Sequence, residues 1–99
     1  MRLIISTNPT VGGVANKNAL TAFLEAKGWS VWHWYSDLWL IHNAPEQVDL
    51  PSLREEILKA IPTLNQILIM TTEGTIDHTG RVPAASVDWF EEHWNRSKA

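Results

Sequence analysis

Hydrophobic and polar positions change their spacing several times along the chain, and each change marks an element. Arg2 to Thr7 (RLIIST) is short, β-branched and stopped by Asn8-Pro9, which predicts a buried strand. After the loop NPTVGGVAN, Leu20, Phe23, Leu24 and Lys27 fall at helical spacing, with Asn16 or Asn18 as N-cap and Gly28 as the C′ residue. The stretch Gly28 to Asn43 (GWSVWHWYSDLWLIHN) is rich in Trp, Tyr, Val and Ile and reads as a hairpin turning at its internal polar pair, Ser36-Asp37. In that register Trp34 faces Trp39 and Trp32 faces Ile41. SLREEILKAIP then predicts a helix with Ser52 as N-cap, Glu55 closing a capping box, a stripe of Leu53, Ile57 and Ile61, and Pro62 limiting its end. NQILIMTTE is a further strand and GTIDHTGRVP a loop. The last stretch, beginning near Ser86, spaces Val87, Phe90 and Trp94 as an amphipathic helix.

The expected order is therefore β-α-β-β-α-β with an additional C-terminal helix: an α+β, ferredoxin-like sandwich with an antiparallel sheet and two helices on one face. With 99 residues and neither linker nor repeat, it is expected to form one domain over 1–99. The strands carry apolar residues on both sides, so the second face should meet something. Trp32, Trp34, Trp39 and Ile41, a set with no ionisable member, are assigned to the helix-covered core. Given the area each ring can bury, these tryptophans are read as packing and not as a ligand cage. The opposite face then holds Arg2, Ile4, Ser6, Asn8, His33, Tyr35, Leu40 and His42. Ile4, His33, Tyr35, Leu40 and His42 are taken as the interface of a homodimer, or the seat of another protein partner.

Composition narrows the function classes. Apolar residues at 44% and charged residues at 19% argue against disorder along the whole chain. Zero cysteines exclude disulfides, thiolate zinc sites and a cysteine nucleophile. The opening apolar run is too short for a signal peptide, and no stretch approaches the ~18 apolar residues of a membrane span, so a cytoplasmic protein without membrane contact is expected. A net charge of −3, with Lys and Arg scattered, gives no global attraction to nucleic acid, whose binding would need a local basic patch. The four histidines, His33, His42, His78 and His93, show no spacing that places two ligands on one helix face, so no metal site is assigned. Asp77 and His78 are loop neighbours, which does not make a catalytic dyad. The loop PTVGGVANKN lacks the Gly-Lys-Ser/Thr of a phosphate loop, and the aromatic signature of RNA-recognition motifs is missing from the first strand.

LIISTN, the helix ending in KGW, YSDLWLI, LREEI and ILIMTT, in this order and spacing, resemble small bacterial ferredoxin-fold proteins called SinR-like. Those are similar in turn to the small nuclease-like subunit of CRISPR adaptation and to VapD-type toxins. The resemblance implies the sandwich, a habit of dimerising, and a mobile-element or toxin–antitoxin setting. In the CRISPR-type relatives an aspartate ends the first strand and joins its symmetry mate at a metal. Here that position is Asn8, whose neutral amide offers one weak ligand and no base. The expectation is a non-catalytic homodimeric interaction or regulatory module without cofactor. The alternative is a metal-dependent ribonuclease or deoxyribonuclease using Mg²⁺ or Mn²⁺, with Asn8 as its one weak catalytic candidate.

Overall fold

A computed structural model describes residues 1–7, 13–33, 37–64, 66–74 and 84–95. The elements are β1 (Arg2–Thr7), α1 (Gly13–Ala26), β2 (Val31–Trp32), β3 (Leu38–Ile41), α2 (Leu50–Ala60), a 3₁₀ turn (Pro62–Leu64), β4 (Ile67–Thr72), α3 (Ala84–Trp89) and a π-helical turn (Phe90–Trp94). The fold is α+β. The four strands are antiparallel in the order β2-β3-β1-β4.

The helix ends differ from expectation, for local reasons. Helix α1 starts at Gly13, so Asn16 lies inside it, nearly buried, and accepts a 2.9 Å hydrogen bond from the Thr63 hydroxyl. Gly28 does end the helix as expected: at φ 81° it occupies the left-handed region where a side chain would be strained. Helix α2 is capped by Asp49 and not by Ser52. The Asp49 carboxylate accepts from the Ser52 amide at 3.1 Å and the Ser52 hydroxyl at 2.6 Å, with Pro51 in the first turn, where its missing N–H costs nothing.

One face of the sheet carries the main core. Leu3, Ile5, Trp39 and Ile41 pack there against Leu20 and Leu24 of α1 and Leu53 and Ile57 of α2. Trp39 and Ile41 are fully buried in it, as expected. Trp32 is not part of it, because the hairpin register is shifted by one residue: Val31 faces Ile41 and Trp32 faces Leu40. A two-residue turn at Ser36-Asp37 would need backbone conformations that neither residue favours, and a shift of one residue sends a side chain to the other side of the sheet. Trp32 is therefore buried on the second face. His33, expected on that face, instead stacks on Trp39, with ring centroids 4.1 Å apart and planes 1° from parallel. Its Nδ1 is 2.9 Å from the Leu38 carbonyl oxygen, so that nitrogen carries the proton and donates. Trp34 and Tyr35 lie outside the described residues.

The second face is covered in part by the chain itself. Phe90 and Trp94 pack with Trp32 and Leu40 in a separate cluster, with Ile4, Leu38 and Trp89 at its margin. The Asn95 amide donates to the Phe90 carbonyl at 2.8 Å, closing the wide π turn that carries both buried rings. Indole N–H groups fasten this segment: Trp32 donates to the Ser86 hydroxyl at 3.0 Å, Trp89 to the Ser30 hydroxyl at 3.0 Å, and Trp94 to the Gly74 carbonyl at 2.9 Å. Arg2 adds its guanidinium over the Trp94 ring, 5.5 Å from the centroid, and donates to the Gly74 carbonyl at 3.0 Å. Among the described residues no helix is long and apolar enough to cross a membrane.

Candidate interaction surface

The five residues expected to share one exposed interface do not do so. Leu40 is buried beneath Phe90 and Trp94, and Ile4 is half-buried at the edge of the same cluster. His33 sits on the opposite face, and Tyr35 is outside the described residues. The C-terminal segment, whose aromatic rings pack on the β2–β3 half of the face, covers Leu40 and Ile4, and the shifted hairpin register moves His33.

Among the described residues, β4 is the part of this face left exposed. β4 is an edge strand, and its second-face side chains, Leu68 and Met70, are 64% and 46% exposed. Nothing in ILIMTT is charged, and it contains no proline, although edge strands commonly carry such residues to discourage pairing with another chain. Two shallow grooves flank the strand. One of about 480 Å³ is lined by Ser6, Arg54, Leu58 and Leu68 among others, and a second of about 230 Å³ by Leu50, Pro51, Arg54 and Ile67 to Ile69.

The direction of the β4 backbone follows from its neighbour. The Thr7 amide donates to the Asp37 carbonyl at 3.1 Å, and the Met1 carbonyl accepts from the Ala44 amide at 3.1 Å, so odd-numbered residues of β1 direct their polar groups toward β3. Alternation then turns those of Arg2, Ile4 and Ser6 toward β4, where they face Thr72, Met70 and Leu68 as hydrogen-bonded pairs. The N–H and C=O groups of Ile67, Ile69 and Thr71 consequently point to the outer edge. Among the described residues no backbone bond is made to these outward groups, and a strand with such an edge and an uncharged, half-exposed face can accept another strand. Sequence reading found this strand. Its lack of charge was the available signal that, once the strand was at an edge, it would matter.

A second feature lies where β1 begins and β4 ends, a cleft of about 650 Å³ lined by Met1, Arg2, His42, Glu46, Thr71, Thr72 and Glu73. His42 stacks on His93, ring centroids 5.1 Å apart, and meets the Trp89 ring edge-on at 5.7 Å. Burial, then His93, then the N-terminal ammonium hold the His42 pKa below the ordinary histidine value. The ammonium is itself 3.3 Å from Glu46. Among the described residues no group of three or more histidine or acidic side chains is placed to hold a metal ion. Asn8, Asp77 and His78 lie outside the described residues.

No family model, curated protein or solved structure matches the chain.

Proposed function

We propose that the protein is a non-catalytic homodimeric interaction or regulatory module on a ferredoxin-like βαββαβ sandwich with an additional C-terminal helix. The strand order β2-β3-β1-β4, with the first and third strands central, supports that sandwich. One observation carries the functional reading: the exposed pair Leu68 and Met70 on an uncharged edge strand. The indoles of Trp32, Trp89 and Trp94, and that of Trp39, whose N–H donates to the Thr21 hydroxyl, are engaged with the chain itself, which supports a packing role for them. The resemblance to SinR-like proteins extends the reading to a mobile-element or toxin–antitoxin setting, in which a further protein partner would be regulated.

Light scattering at micromolar concentration and neutral pH tests it. The parent should be a dimer, and Met70→Lys, which places a charge on the open face, should shift the population toward monomer. A parent that scatters as a monomer ends the dimer reading. Cleavage of structured or single-stranded nucleic acid that requires Mg²⁺ or Mn²⁺ and is lost in Asn8→Ala would replace the non-catalytic reading with the nuclease one.

A further inference from the structure

We infer that two copies pair through β4 in antiparallel fashion, centred on Ile69, so that one sheet runs continuously through the dimer; this rests on the dimeric reading above. Three properties of the strand select that arrangement. A two-fold axis beside an edge strand places it against its own reverse, an isologous contact that needs no second kind of surface. Ile67, Ile69 and Thr71 hold the outward backbone groups, so only registers that set these residues against one another make a ladder. Centring on Ile69 sets Ile67 against the partner's Thr71 and Ile69 against the partner's Ile69, and uses every outward group of the strand. Centring on Leu68 or on Met70 leaves a terminal residue of that set without a strand residue opposite it.

Side chains favour the same register. It places Leu68 opposite the partner's Met70 as a non-hydrogen-bonded pair, the closer type at about 4.5 Å between Cα atoms, and repeats that contact across the axis. Both exposed apolar residues thereby gain an apolar neighbour. Charges agree as well. Arg54 lines the groove beside Ile67 and Leu68, and the axis brings the partner's Glu73 toward that end of the strand. The assembly also closes. Pairing consumes both β4 edges, and the remaining edge of each sheet, β2, has two described residues. Packing face to face through the second face is hindered, because the C-terminal segment covers its β2–β3 half.

Cross-linking reads the register directly, because the natural chain has no cysteine. Leu68→Cys and Met70→Cys are prepared separately, at exposed positions, and their thermal melts are compared with the parent's. When the two variants are mixed, exchanged and gently oxidised, a disulfide-linked dimer should appear on a non-reducing gel. Neither variant alone should form one, because like residues lie diagonally across the axis, beyond the ~7 Å Cα separation a disulfide can bridge. A cross-link in Leu68→Cys alone, or in Met70→Cys alone, moves the axis to that residue and overturns the Ile69 register. If no sample cross-links while light scattering still finds a dimer, the β4 edge is not the interface and the dimeric reading survives. A monomeric parent removes both.

Discussion

At the residue scale, Trp39 shows what the aromatic content is for. Its indole is fully buried between the sheet and α1, its N–H donates to the Thr21 hydroxyl at 2.9 Å, and its outer face is closed by the His33 ring. Trp39→Ala should therefore lower stability by about 3–5 kcal/mol, as expected for removal of a buried aromatic, measured by denaturant titration at neutral pH. Melting like the parent would place Trp39 outside the core. This residue was legible in the sequence because Trp39 and Ile41 alternate with Leu38 and Leu40 in a strand whose register does not depend on the turn. Trp32 was not. Its face is fixed by the count of residues in the connection, and a tryptophan is equally suited to either apolar cluster. The serine hydroxyls that receive the Trp32 and Trp89 indoles, Ser86 and Ser30, are distant in sequence and carry no local sign of the role.

At the element scale, local chemistry decides where helices start, and two acceptable signals can compete. Ser52 with Glu55 is a sound capping box, yet Asp49 followed by Leu50-Pro51 begins the helix earlier. Aspartate adds charge at the positive end of the helix, and proline fixes the backbone angle of the first turn. The bonds from the Ser52 hydroxyl and amide hold the Asp49 pKa below the ordinary carboxylate value. A depressed carboxylate contributes stability above its unfolded pKa and loses it as pH falls through the folded one. Asp49→Ala should accordingly lower the melting temperature at neutral pH more than Glu55→Ala does, and the gap should vanish in strong acid, where the parent's cap is protonated. Equal effects at neutral pH would return the start of the helix to Ser52. The appended helix was legible in its apolar spacing at Phe90 and Trp94, but the surface it covers was not, since amphipathicity names a buried side without naming what buries it.

At the scale of the whole molecule, the sheet is packed on both faces, and the second packing contains a pair of histidines. His42 at the end of β3 touches His93 on the C-terminal segment. Among the described residues the charged groups around them are the N-terminal ammonium and Arg2 beside β1, Glu46 after β3, Glu73 after β4, and Glu91 and Glu92, which precede His93. The pKa of His42 is lowered chiefly by burial, then by His93 and the ammonium, so the folded chain favours its neutral ring. An unfolded chain binds that proton more readily, so folding stability is complete above the ordinary histidine pKa of 6.5 and declines as pH falls below it toward the folded value. Melting temperatures measured at about pH 8 and about pH 5 should show a loss in acid that His42→Gln largely removes. His93→Gln should reduce the loss without abolishing it, because burial of His42, the larger cause, remains. Near-ultraviolet circular dichroism adds a local readout, since Trp89 and Trp94 should lose their fixed environment with the same pH dependence. If the parent melts alike at both pH values, or if His42→Gln keeps the full acid loss, the histidine pair does not couple the C-terminal segment to the sheet.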